Sequence, residues 1–147
     1  MPKVISEVTV ARPVAQVYAL AKDIERFPEF MADVQSVEIL ADDPPHRLSR
    51  WVGVIKEFNR TIRWTEDDCW DDAAHVCTFA QTEGDFSSYR GRWEFGEVAE
   101  GTTVCLEVEY EYNVPLIGAL IKGLLLKKMQ QNTDAMLAAL KAQSEKT

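Results

Sequence analysis

Residues 84–129 read GDFSSYRGRWEFGEVAEGTTVCLEVEYEYNVPLIGALIKGLLLKKM. Apolar and polar residues alternate through 88–95 and again through 102–112, which is the period-two pattern of two β-strands. From residue 114 to about residue 142 the apolar residues follow the spacing of a helix. The stretch therefore predicts a β-hairpin followed by a long and unusually apolar C-terminal helix.

The charges of this hairpin indicate its register. A turn centred near Ala99 places apolar and aromatic side chains on one face of the hairpin and opposite charges on the other. Facing opposite charges favour a pairing by about 0.2–1 kcal/mol per pair, and a slip of one residue would turn every side chain to the wrong face. Arg90 and Arg92 are therefore expected to face solvent. The predicted pairs are Phe95–Val104, Trp93–Leu106, Arg92–Glu107 and Arg90–Glu109.

The rest of the chain predicts more strands and two short helices. The helical segments are 13–23 and 23–30, with Asp23 as a possible N-cap of the second. Because strands and helices do not alternate along the chain, the sheet should be antiparallel and the fold class α+β. The long helix is the only element large enough to cover the apolar face of the sheet, within one domain of residues 1–147. The further strand segments are 3–10, 34–40, 47–55, 60–70 and 75–83.

The charge distribution argues against a nucleic-acid partner. The formal net charge is −8, and residues 1–114 carry 22 acidic and 11 basic side chains. An acidic body of this kind repels polyanions. Residues 115–147 carry five lysines and two acidic residues, so the C-terminal helix is the only surface suited to an anionic partner.

The N-terminal sequence and the cysteines favour a cytoplasmic location. Residues 3–10 alternate and lack the continuous apolar segment of a secretory signal. No apolar run reaches the roughly 20 residues that a membrane-spanning helix needs. Three cysteines at irregular spacing do not suggest a disulfide framework.

Signals for catalysis are few, and no catalytic residue is predicted. His46 and His75 fall in predicted turns, and neither a GxSxG motif nor a phosphate-binding loop is present. An acidic cluster could attract a divalent ion, but we interpret it as a solvated strand end and turn, and we predict no metal and no cofactor. Its members are Glu66, Asp67, Asp68, Asp71 and Asp72.

Several motifs occur in an order that resembles a known superfamily. They are VAQVYALAKDIERFPEF at 14–30, W-x-G at 51–53, G-D-F-x-x-Y-x-G-x-W-x-F at 84–95, G-T-x-V at 101–104 and L-x-x-L-K at 137–141. The chain resembles the START (SRPBCC) superfamily, and within it the bacterial single-domain polyketide cyclase/dehydrase-like proteins. It is also similar to coenzyme-Q-binding START proteins and to ribosome-association toxins.

This resemblance implies a helix-grip fold, in which a curved antiparallel sheet of six to seven strands wraps around the long C-terminal helix. It also implies a cavity for an apolar small molecule between the sheet and the helix. Aromatic side chains with a polar atom suit such a cavity, because the apolar ring packs while the polar atom fixes orientation. The predicted ligand-binding residues are Trp51, Trp64, Tyr89, Trp93, Tyr110, Leu120 and Leu124.

Three functions follow from the resemblance. The preferred one is a carrier or sensor of a lipid, an isoprenoid or an aromatic polyketide-like molecule. The alternatives are a cofactor-independent polyketide cyclase/aromatase and an interaction protein similar to the ribosome-association toxins. The helical segment 115–130 is interpreted first as core, with a lid or a transient membrane contact as the other possibilities.

Overall fold

The computed structural model describes residues 1–56, 59–112 and 119–146 of the 147-residue chain. The helices are α1 (Val14–Lys22), α2 (Phe27–Phe30) and α3 (Ala119–Glu145), with a 3₁₀ turn at Ile24–Arg26 before α2. The strands are β1 (Lys3–Val10), β2 (Val34–Asp43), β3 (His46–Ile55), β4 (Arg60–Asp71), β5 (Val76–Gly84), β6 (Ser88–Val98) and β7 (Gly101–Glu111).

The seven strands form one sheet in the order β1-β7-β6-β5-β4-β3-β2, and every neighbouring pair is antiparallel. The predicted α+β helix-grip architecture, with two short helical segments after β1 and a long C-terminal helix, is confirmed. Residues between the strands supply the turns expected from Asp, Gly and Pro-rich segments. The inner face of this sheet is the one that faces the helices.

The register predicted for the last hairpin is confirmed at all four pairs. Trp93 and Leu106 are buried on the inner face, whereas the Arg90 and Arg92 side chains are 61% and 51% exposed on the outer face. Arg90 Nη2 lies 3.1 Å from a carboxylate oxygen of Glu109. The alternation of the sequence therefore separates an apolar face from a charged face across β6 and β7.

The short helices after β1 differ in one detail from the prediction. Asp23 makes no side-chain capping hydrogen bond at the 3₁₀ turn. Its backbone N–H instead donates to the carbonyls of Ala19 and Leu20, each at 3.2 Å, and so ends α1. Pro28 lies in the first turn of α2, where its missing N–H costs no helical hydrogen bond. Phe27 of the same helix is buried in the core.

The long helix α3 packs along β1 through polar contacts. Ser6 Oγ lies 2.8 Å from Thr133 Oγ1, and the Gln130 and Lys141 side chains donate hydrogen bonds to the carbonyls of Ile5 and Thr9. The predicted start of the helix near residue 114 lies outside the described residues. The helix ends at Glu145, whose carboxylate accepts the Ala11 N–H at 2.8 Å.

Within the described ranges, no helix is both long enough and apolar enough to cross a lipid bilayer. This agrees with the interruption of the apolar run of α3 by lysines at 122 and 127.

Gly91 on β6 provides a test of the close approach between β5, β6 and β7. A Cβ atom at Gly91 would lie 2.0 Å from the Glu107 carbonyl oxygen and 2.6 Å from Phe79 Cζ. We expect Gly91→Ala to lower the free energy of unfolding by about 1–3 kcal/mol, because backbone and core must move to make room. Chemical denaturation would measure this loss.

Gly96 offers a matched control on the same strand, because a Cβ there would meet no atom within 4 Å. We expect Gly96→Ala to change the free energy of unfolding by no more than about 0.5 kcal/mol. Equal effects of the two substitutions would contradict the packing described for Gly91.

Candidate functional site

A cavity lies between the inner face of β3–β6 and the middle of α3. Its volume is about 80 Å³, several times the roughly 10–15 Å³ that one water molecule requires. Met129 and Met136 close it from the helix side. The aromatic side chains on its wall are Trp51, Trp64, Phe79, Phe86, Tyr89 and Trp93.

The aromatic wall is ordered by strand pairing. Trp51 on β3 and Trp64 on β4 face each other in register, and their rings stack with centroids 5.9 Å apart and planes within 8°. Tyr89 packs against Trp64 at 5.1 Å and stacks on Phe86 at 4.6 Å. A Cβ at Gly53 would lie 3.4 Å from the Trp64 ring. The glycine of the W-x-G motif therefore lies directly against the Trp64 indole, at the cavity wall.

Four of the seven predicted ligand-binding residues line this cavity. They are Trp51, Trp64, Tyr89 and Trp93. Their contact with a ligand stays a prediction, but the structure brings all four to one wall.

Two of the other three predicted residues, Tyr110 and Leu124, are not among the described residues that line this wall. Tyr110 is buried in the core, with its ring 6.3 Å from that of Phe86. Leu124 lies on α3 with 39% of its surface exposed. Leu120 falls within the helix, but its side chain is outside the described residues.

Two carboxyl groups are buried beside the cavity, contrary to the expectation of a solvated acidic cluster. Glu66 and Asp68 are only 4% and 2% exposed, and Glu66 lines the cavity. Asp71 and Asp72 lie at the surface as expected. The reason is that alternate residues of a strand point to the same face. On β4 the residues that share the inner face are Ile62, Trp64, Glu66, Asp68 and Trp70.

Hydrogen bonds connect the carboxyl pair to the two stacked indoles. Trp64 Nε1–H donates to Glu66 Oε1 at 2.7 Å. Trp51 Nε1–H donates to Ser49 Oγ at 2.9 Å, and Ser49 Oγ–H donates to Asp68 Oδ2 at 2.6 Å. The Glu66 and Asp68 carboxyls are hydrogen-bonded to each other. The carboxyl pair thus holds both indole N–H groups in fixed directions.

The surroundings of the carboxyl pair favour its protonated form. Burial raises the pKa of Glu66 well above its ordinary value, and the neighbouring Asp68 carboxylate raises it further. Burial also raises the pKa of Asp68, while hydrogen bonds from Glu66 and Ser49 and the nearby Arg47 guanidinium lower it. We therefore assign the proton to Glu66, which donates it in a hydrogen bond to the Asp68 carboxylate.

Sequence reasoning missed Glu66, Asp68 and Ser49 as components of the site. A signal for them existed in RTIRWTEDDCW (60–70), because Trp64 and Trp70 are separated by an even number of residues and place Glu66 and Asp68 on the same face. The acidic residues that follow in the turn made the whole run resemble a solvent-exposed segment. Phe86 was also not predicted to line the cavity.

The buried Glu66 predicts a distinctive pH dependence of stability. The pKa of Glu66 is raised in the folded state. The free energy of unfolding of the native protein therefore falls as the pH rises from the ordinary glutamate pKa toward the folded-state pKa. Glu66→Gln cannot ionise and should remove this loss. The free energy of unfolding of the variant relative to the native protein should rise between about pH 4 and pH 7, by at most about 1.4 kcal/mol per pH unit. Urea titrations across this range would measure it.

Glu83→Gln is the control, since Glu83 is an exposed glutamate on β5. Its stability should follow that of the native protein at each pH. If the Glu66→Gln difference were also independent of pH, Glu66 would not hold a proton in the folded state.

Comparison with known proteins confirms the resemblance. A family model described as polyketide cyclase / dehydrase and lipid transport matches residues 10–137. The crystal structure of TTHA0849 from Thermus thermophilus is 36% identical, with a TM-score of 0.92 over 97% of each chain. The Zhui aromatase/cyclase from Streptomyces sp. R1128 has a TM-score of 0.88 at 20% identity over 97% of this chain and 93% of its own, which shows a shared fold.

A curated relative also matches in sequence. A candidate polyketide cyclase from Streptomyces cyaneus is 28% identical over 98 residues, which are 66% of this chain and 64% of that protein. The match therefore spans slightly less than two thirds of the relative. Because the family model covers residues 10–137, well over half of the sequence, the chain belongs to the polyketide cyclase / dehydrase and lipid transport family.

Proposed function

We propose that this protein binds an apolar, ring-bearing small molecule in the cavity between the sheet and α3, and that it carries or senses this molecule as one START-like domain. The observation that supports this is the aromatic wall formed by Trp51, Trp64, Phe86, Tyr89 and Trp93. Flat rings stack on such walls, and each Å² of apolar ligand surface removed from water contributes about 25 cal/mol.

The size of the cavity limits what enters without rearrangement. Its volume of about 80 Å³ is smaller than the roughly 150 Å³ of an engineered apolar cavity that holds benzene. A ligand with several rings therefore requires side chains to move. Met129 and Met136 are suited to this, because the unbranched methionine side chain changes rotamer easily. The half-buried Asp33, Val54 and Asn132 form the rim through which entry would occur.

The first half of α3 fits a transient contact with a membrane surface during ligand transfer. Ile121, Leu124 and Leu126 are 38–39% exposed, and Lys122 and Lys127 are exposed beside them. An apolar stripe with flanking lysines is the composition of helices that lie at an anionic interface. The acidic body is unsuited to nucleic acid, and the three free cysteines fit a cytoplasmic location.

One observation favours a second function, cofactor-independent cyclisation or aromatisation of a polyketide-like substrate. Glu66 places a carboxyl group with a raised pKa on the wall of an apolar cavity, next to the Asp68 carboxyl group. Such a pair can return a proton to an enolate oxygen and take one from an activated carbon, and neither transfer requires a redox partner. Turnover of a poly-β-ketone thioester analogue that is lost in Glu66→Gln would support this function.

The proposed binding function is tested with the native protein and with a variant whose cavity is filled. We expect native mass spectrometry of protein purified from its own host to show a stoichiometric apolar ligand. We also expect 2-methylnaphthalene or the naphthoquinone menadione to raise the melting temperature of ligand-free protein. Gly53→Leu should abolish both effects, because its side chain would extend into the space beside Trp64.

Gly96→Leu is the control, since a Cβ there would meet no atom within 4 Å and Gly96 is not among the residues that line the cavity. It should keep the ligand and the stabilisation. An empty protein that gains no stability from either probe would overturn the proposed function.

A further inference from the structure

The hydroxyl group of Tyr89 is a polar group of the cavity wall that has no hydrogen-bond partner in the part of the chain that the structure describes. Tyr89 lines the cavity, and its ring is held between Trp64 and Phe86. Within residues 1–56, 59–112 and 119–146, no hydrogen bond to this hydroxyl is present, whereas the Ser49 hydroxyl and the Trp51 and Trp64 indoles are hydrogen-bonded. Burial raises the pKa of Tyr89 above its ordinary value, so the hydroxyl keeps its proton and can donate it.

Glu66 can accept a hydrogen bond from a ligand in the cavity. Its proton is directed to Asp68, and Trp64 Nε1–H occupies one lone pair of Oε1. A carboxyl group has more acceptor sites than these contacts use. Glu66 is therefore an acceptor toward the cavity, whereas Tyr89 can act as a donor.

We propose that Glu66 and Tyr89 form a recognition site for a phenolic or enolic hydroxyl group on the bound ring, with the ligand hydroxyl donating to Glu66 and accepting from Tyr89. This inference rests on the proposed binding function and adds to it the chemical class of the ligand. The two protein groups supply one acceptor and one donor, and a neutral hydroxyl satisfies both at once.

The same site should reject anions. Asp68 already places one negative charge behind Glu66, and none of the described residues on the cavity wall is a lysine, arginine or histidine. A carboxylate ligand would bring a second negative charge into an apolar space without a cation to compensate it. The ligand class is thus a neutral hydroxylated aromatic or enol rather than a fatty acid or aromatic acid.

Calorimetric titration with matched naphthalenes tests this assignment at about pH 7. The probes are 2-naphthol, 2-methylnaphthalene, 2-methoxynaphthalene, 2-ethylnaphthalene and 2-naphthoate. We expect 2-naphthol to bind about 3- to 10-fold more tightly than 2-methylnaphthalene, which is the range for a net gain of about one hydrogen bond. The affinity for 2-methoxynaphthalene should exceed the affinity for 2-ethylnaphthalene by a smaller factor, because the ether oxygen accepts a hydrogen bond from Tyr89 but cannot donate one to Glu66. Naphthoate should bind most weakly.

Tyr89→Phe isolates the donor without disturbing the fold, because the hydroxyl it removes has no partner among the described residues. This variant should keep the native affinity for 2-methylnaphthalene and lose several-fold in affinity for 2-naphthol, and it should bind the ether and 2-ethylnaphthalene equally. Tyr112→Phe is the control: its hydroxyl accepts a hydrogen bond from Arg60 at 3.1 Å and is not on the cavity wall.

The outcomes separate this inference from the proposed function. If the hydrocarbons bind but 2-naphthol shows no preference, or if Tyr89→Phe retains the preference, the hydroxyl site is wrong and the binding function stands. If 2-naphthoate binds as well as 2-naphthol, the exclusion of anions is wrong. If no naphthalene binds at all, the proposed function fails, and the hydroxyl site fails with it.

Discussion

The register between β6 and β7 is the constraint on which the rest of the structure depends. It directs Trp93, Phe95, Val104 and Leu106 toward the inner face and sends the arginine–glutamate pairs to water. Because side chains alternate with a period of two, this one pairing fixes the inner face for the neighbouring strands β1 and β5 as well. The helices can then complete the core from one side, since only one face of the sheet needs to be covered.

The inner face is not uniformly apolar, and its polar part determines the shape of the cavity. Two carboxyl groups at this depth would be costly without partners. Here they share a proton and accept hydrogen bonds from Ser49 and the Trp64 indole. The same hydrogen bonds fix the directions of the Trp51 and Trp64 indole N–H groups, whose rings stack with centroids 5.9 Å apart. One hydrogen-bond network therefore connects the buried carboxyl groups to the aromatic wall of the cavity.

Most of the fold could be predicted from the sequence, whereas only part of the site could. The charge ladder of Arg90 and Arg92 with their glutamates specified a register because a one-residue shift would have buried charges. Alternation also placed Tyr110 on the inner face, but it does not distinguish a core position from a cavity wall, which depends on how α3 packs. Glu66 and Asp68 were predicted wrongly because three further acidic residues surround them, and a dense acidic run is typical of a solvated surface even where strand phase buries two of its members.

The contacts between α3 and β1 have a consequence for the solution behaviour of the protein. β1 is the last strand of the sheet, and its free edge could pair with a strand of another molecule. Gln130 and Lys141 occupy the carbonyls of Ile5 and Thr9 along this edge at 2.9 and 2.7 Å. The helix α3, which completes the cavity, therefore also protects the β1 edge from pairing with another molecule. A movement of α3 that opens the cavity widely would expose this edge and favour self-association.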